Sequence, residues 1–138
     1  MSIARTVVLV LGAVYVLVGI LGFIPAVAEE VAGVDEMDSA TALLLGIFPI
    51  NVLHNFVHLA IGAVLLWGAT STGAAIMAAR GVGIVYLLVG LLGFVAPDTF
   101  GLMPIGGNDI WLHLATALIL LVIGFWPEAA TERVDART

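Results

Sequence analysis

All three histidines of this chain fall into one pattern with an aspartate. His54 and His58 are four residues apart, and so are Asp109 and His113. On a helix that spacing stacks two side chains on one face, with β-carbons about 5–6 Å apart. Imidazoles and a carboxylate together ligate divalent metals such as zinc, nickel or copper, and the absence of thiolates argues against copper(I). His58 and His113 also make an axial pair for a haem iron. Histidine titrates near neutral pH, so the same groups can relay protons. A fourth use needs no ligand: hydrogen bonds among the side chains hold helices together. Asn51, Asn55 and Asn108 lie close by in sequence and extend the polar set.

The elements that carry these residues belong in a bilayer. Of 138 residues, 62% are hydrophobic and 10% charged, and the mean hydropathy is +1.22. Soluble domains carry about 25% charged residues. Four apolar stretches stand out, at 4–26, 50–69, 74–96 and 107–126. Each is near the ~20 residues that a spanning helix needs. Ala26-Val27-Ala28 has the small-residue form of a signal cleavage site, but the apolar run before it exceeds the about 7–15 residues of a signal's core. The expected fold is therefore all-α: a bundle of four transmembrane helices, one membrane domain over residues 1–138.

The stretches repeat. Gly12, Tyr15, Gly19, Gly22 and Phe23 recur 71 positions later as Gly83, Tyr86, Gly90, Gly93 and Phe94. Gly46, Pro49, Ile50, His58, Leu59 and Ala60 recur 55 positions later as Gly101, Pro104, Ile105, His113, Leu114 and Ala115. The second offset pairs His54 with Asp109. The chain reads as two tandem helical hairpins, near 1–70 and 74–127, related by a pseudo-twofold axis along the membrane normal. That symmetry sets the two histidine segments face to face. At 1.5 Å per residue, His58 lies about 12 Å and Tyr15 about 16 Å from the same end of the bundle. Tyr15 and Tyr86 are thus expected to reach the polar core. The glycine stripes read as close helix packing, and Pro49 and Pro104 as signals at or just before helix starts.

Charge sets the orientation. The basic residues are Arg5, Arg80, Arg133 and Arg137, with no lysine. With four spans, all four lie on one side, which the positive-inside rule places in the cytoplasm together with both termini. The expected location is the plasma membrane. Glu29, Glu30, Asp35, Glu36 and Asp38 give the first loop an acidic, outward face, the expected surface for a second copy or a membrane partner protein. Trp67, Trp111 and Trp126 sit where interfacial anchors belong. The polar tail from Pro127 reads as solvated. A net charge of −6 excludes a basic nucleic-acid surface. No cysteine is present, so disulfides and cysteine nucleophiles are excluded.

The segment Gly46-Ile-Phe-Pro-Ile-Asn-Val-Leu-His54-Asn-Phe-Val-His58-Leu, followed by Gly62, resembles the hallmark of domain-of-unknown-function family 4383, small four-helix membrane proteins of bacteria and archaea. Asn108-Asp109-Ile-Trp111-Leu-His113-Leu resembles its second hallmark, and Gly19-Ile-Leu-Gly22-Phe-Ile-Pro25 its first span. Ala117 departs from the glycine common after the second hallmark. The resemblance implies a four-helix membrane protein carrying these polar residues, and no activity.

Three functions follow: a structural or accessory bundle with a polar His/Asp core, a metal- or haem-binding membrane protein using His54, His58, Asp109 and His113, and a small proton- or ion-conducting bundle. No nucleophile elbow, phosphate loop or carboxylate dyad is present, which leaves catalysis with the least support.

Overall fold

The computed structural model describes residues 1–126. The tail from Pro127, with Arg133 and Arg137, lies outside the described residues. Four helices dominate: α1 Ile3–Leu21, α2 Val52–Gly68, α3 Thr72–Leu92 and α4 Asn108–Phe125. Ser2, Asn51 and Ser71 cap the first three, each side chain accepting from the backbone N–H three residues on. α4 starts instead after Gly107, whose φ of 61° needs no β-carbon. The expected stretches to 26 and 96 overrun α1 and α3, which stop at Gly22 and Gly93. Apolar composition marks what sits in or near lipid, and it continues past the last helical turn.

Pro49 and Pro104 are not first-turn residues. They lie three and four residues upstream of α2 and α4, and Pro49 is in a strand. A fixed φ and a missing N–H suit an extended approach as well as a helix start. The starts themselves are set by the Asn51 cap and by Gly107.

The loop between α1 and α2 contains a small antiparallel sheet, β1 Ala28–Glu30, β2 Ala42–Leu44 and β3 Phe48–Ile50, in the order β1-β2-β3. Between β2 and β3 the chain turns through Leu45 and Gly46, both at positive φ. This loop interlocks with the one between α3 and α4. The Asp98 carboxylate accepts from the Ser39 hydroxyl and, at 3.1 Å, from its N–H. Asn51 Nδ2 donates to the carbonyls of Ser39 and Leu102, and Asn108 Nδ2 to that of Ile47. Met37, buried, lies over Gly106 and Gly107. Together the two loops form a cap over one end of the bundle. The other end is the turn Ala69–Ser71.

α1 packs chiefly on α2, and α3 on α4; α1 and α4 touch along a narrow seam. Corresponding residues make corresponding contacts. A β-carbon on Gly19 would lie 2.8 Å from Leu59 Cγ, and one on Gly90 would lie 2.9 Å from Leu114 Cγ. Gly12 meets Leu66 as Gly83 meets Leu121. At the turn end, Arg5 Nε donates to the Ala69 carbonyl at 2.8 Å, and Arg80 Nε to the Gly124 carbonyl at 2.7 Å. Below the cap the core is apolar, built from Val8, Leu65, Ile76, Ala79, Val82 and Leu120. Ala117 is buried in it.

The outward faces are also apolar. Val10, Leu17, Phe56, Val64, Leu88, Leu91, Leu118 and Val122 are all exposed. A contiguous surface of this kind is foreign to water. Three of the helices, α1, α3 and α4, are long and apolar enough to cross a membrane. α2, at 17 residues, is shorter and also apolar.

Candidate functional site

Each polar group of the centre is placed by its helix start. The Asn51 cap fixes the first turn of α2 and puts His54 in it, with His58 one turn further along the same face. α4 carries Asp109 in its first turn and His113 one turn on. All four residues are buried: His54 is 1% exposed, His58 3%, Asp109 1% and His113 4%.

The contacts run along each helix and cross between them at His54, which meets both Asp109 and His113. His54 Nε2 lies 3.1 Å from His58 Nε2 and 3.3 Å from Asp109 Oδ2. Asp109 Oδ2 is 3.7 Å from His113 Nδ1. The His54 and His113 rings stack at 6.3 Å. His113 Nδ1 donates to the Asp109 backbone carbonyl at 2.7 Å, since a carbonyl can only accept. In a neutral ring that leaves His113 Nε2 without a proton and free to act as a ligand. One ring nitrogen from each of His54, His58 and His113 can be chosen so that all three lie within 4.8 Å of one another.

Two tyrosines wall the cluster. Tyr15 packs edge-on against His58 at 5.3 Å, and Tyr86 against His113 at 4.9 Å. They are the corresponding residue of each hairpin, on the corresponding histidine. The Tyr15 hydroxyl hydrogen-bonds the Thr116 hydroxyl at 2.9 Å. Thr116 was not among the residues singled out from sequence. Its position three after His113, on the same helix face, is the signal that marks it.

Two of the asparagines are elsewhere. Asn51 and Asn108 belong to the cap, where they tie loop carbonyls together. Asn51, just before α2, also caps it, its Oδ1 accepting from the His54 N–H. Asn55 is buried, and its Oδ1 has no partner among the described residues. It sits against Gly22, where a β-carbon would fall 2.1 Å from Oδ1.

The electrostatics are one-sided. Burying a carboxylate is costly unless a cation or hydrogen-bond donors meet it. No arginine among the described residues reaches Asp109, because Arg5 and Arg80 serve carbonyls at the turn end. Among the described residues, only imidazoles lie within ion-pairing distance of it.

The family model described as a domain of unknown function, DUF4383, matches residues 5–126. The chain belongs to that family. The match covers both hairpins and every residue of the centre, so the His–Asp site lies wholly inside the DUF4383 domain. No curated protein and no solved structure matches the chain.

Proposed function

We propose that this DUF4383 protein is a four-span membrane protein that holds one divalent metal ion in its core, on His54, His58 and His113 with Asp109 as the fourth ligand. The observation that carries this reading is the gathering of three buried imidazoles within 4.8 Å from two helices. Two imidazole nitrogens on a tetrahedral metal with bonds of 2.0–2.1 Å sit roughly 3.3 Å apart. The observed 3.1 Å between His54 and His58 and 3.3 Å between His54 and Asp109 are close to that spacing. The His113 Nδ1 bond to a backbone carbonyl is the outer-shell contact that orients a metal-binding imidazole. A metal supplies the positive charge that the buried carboxylate lacks. The donor set of nitrogen and oxygen favours zinc among the common ions.

Haem fits less well. The His54 ring lies 4.5 Å from that of His58 and 6.3 Å from that of His113, and a tyrosine packs on each of the latter two, which crowds the space a porphyrin would need. Conduction is disfavoured by the apolar core beneath the cluster. The purely structural reading has the Tyr15–Thr116 and His54–His58 bonds in its favour, and metal content separates it from the proposal.

The apolar outward faces of all four helices, α2 included, support a four-span arrangement. Seventeen residues reach about 25 Å, at the short end of what spans a bilayer. The matched contacts of the two hairpins support their origin by duplication. The arginines at the turn end support placing that end, and the N-terminus, in the cytoplasm of the cell.

The test is metal analysis of protein purified without a histidine tag. We expect about one zinc or similar ion per chain, as for a closed structural site. His58→Ala and His113→Ala should each reduce it to background while helicity is retained. Wild-type protein that is metal-free and stays so after incubation with zinc overturns the reading.

A further inference from the structure

The two hairpins are fastened firmly at one end only. At the turn end Ala69–Ser71 joins them covalently, and the Ser2 hydroxyl meets that of Thr72 at 3.1 Å. At the cap end α2 and α4 both begin, and their backbones scarcely touch. What spans the gap is the centre itself, His54 of α2 against Asp109 and His113 of α4. The same two helix starts carry ties of the cap. Asn51, three residues before His54, donates to the Leu102 carbonyl of the opposite loop at 3.0 Å. Asn108, next to Asp109, donates to the Ile47 carbonyl of the opposite loop at 3.2 Å. Each asparagine fastens its own helix to the other hairpin's loop. One spacing, that of α2 from α4, therefore sets both the centre and the cap.

We propose that the metal ion is the latch of the cap. Bound to His54, His58, His113 and Asp109, it draws the starts of α2 and α4 together and the two loops interlock; when it leaves, the starts part and the cap loosens. The state of the cap thus reports the ion. This inference rests on the metal reading. Unpaired polarity is the first argument. Asp109 Oδ2 has no hydrogen-bond partner among the described residues. The Nε2 atoms of His54 and His58 face each other at 3.1 Å, so only one of them can donate. An ion answers all three atoms at once. Without it water must, because buried polar groups take their partners from protein or solvent. Access is the second argument. Towards the turn end the core is apolar. Towards the lipid, the seam between α1 and α4 holds a cavity of about 200 Å³, walled chiefly by apolar side chains such as Leu11, Val14, Phe48 and Leu112. Apolar cavities stay dry. The route that suits water is from the cap, between the two helix starts, and it opens by parting them. Leverage is the third argument: parting the starts pulls directly on the Asn51 and Asn108 ties.

The experiment uses the full chain in lipid nanodiscs, loaded with zinc or stripped by a chelator, and reads hydrogen exchange by mass spectrometry. Stripping should speed exchange in residues 28–50 and 97–107 by about tenfold or more and in α1 and α3 by less than about twofold, as for a local opening. Returning zinc should restore the slow rates. Asn108→Ala cuts one tie without altering a ligand. It should keep its zinc, and residues 42–50 should exchange fast with or without the ion. His113→Ala should match the stripped protein and ignore zinc. Zinc that binds yet leaves the cap's exchange unchanged, or slows exchange equally throughout the chain, overturns the latch and leaves the metal centre standing. An Asn108→Ala cap that still answers zinc as the wild type does also overturns it. Protein that takes up no zinc overturns the metal reading and the latch with it. Metal content measured on the same samples tells the two failures apart.

Discussion

At the scale of single residues, Gly22 and Asn55 show how tightly the polar centre is fitted. The Asn55 amide occupies the space where a side chain at position 22 would begin, with 2.1 Å between Oδ1 and an added β-carbon. Gly22→Ala should lower stability by about 1–3 kcal/mol, the usual effect of overpacking. Gly81→Ala, in the helix α3 with nothing within 4 Å of the new carbon, should be neutral or stabilising by up to about 1 kcal/mol. Thermal melting in one detergent compares the two, and equal losses would contradict the packing argument. The His–Asp set was legible from sequence because every member repeats at a helical spacing, and ionisable groups are rare in apolar helices. Asn55 has no counterpart in the second hairpin, where Ile110 stands, and it packs against Gly22 at the end of α1. Asn51 and Asn108 were misread because adjacency in sequence does not tell a core residue from a cap residue. Thr116 escaped because threonine is ordinary in such helices and has no counterpart in the first hairpin, where Ile61 stands.

At the scale of elements, the cap is the part that sequence left open. Its strands are three residues each, too short for a period-two pattern to register. The loop's acidic residues, Glu29, Glu30, Asp35, Glu36 and Asp38, mark it as outward-facing and say nothing of a sheet. What orders it is a few long-range bonds, chief among them Asp98 holding Ser39. Asp98→Ala should leave the helices intact and loosen the cap, at about 1–3 kcal/mol for a charged acceptor's bonds. Hydrogen exchange should then rise in residues 28–50 and stay unchanged in α3; uniform protection across both would show that the cap is held by its apolar contacts instead. The helices, by contrast, were legible to within about a turn and a half, the largest overrun being the expected end at 26 against Leu21. Their apolar runs are long, and their glycines stand on one face. The arginines add one detail. Arg5 and Arg80 serve carbonyls that correspond, yet they lie 75 positions apart rather than 71, one helical turn off the repeat. A long side chain reaches the same helix end from either turn.

At the scale of the whole molecule, the two hairpins are joined unequally. α3 meets both α1 and α2, whereas α1 and α4 leave a seam that the cavity enters. Nothing in the sequence separates a closed seam from an open one, because both are lined by leucine and valine. Sidedness can be tested directly, because the chain has no cysteine. In intact cells, Glu36→Cys in the cap should react with a membrane-impermeant maleimide, and Thr70→Cys at the turn should react only after lysis. The reverse pattern would invert the molecule; labelling of both from outside would show that α2 does not cross the membrane.

The apolar floor beneath the histidines has a consequence for traffic. From Val8, Leu65 and Leu120 to the turn end, no buried polar side chain among the described residues offers a foothold to an ion or a proton. The polar chamber is a dead end. Whatever reaches it comes through the cap or sideways through the seam, and departs by the same door.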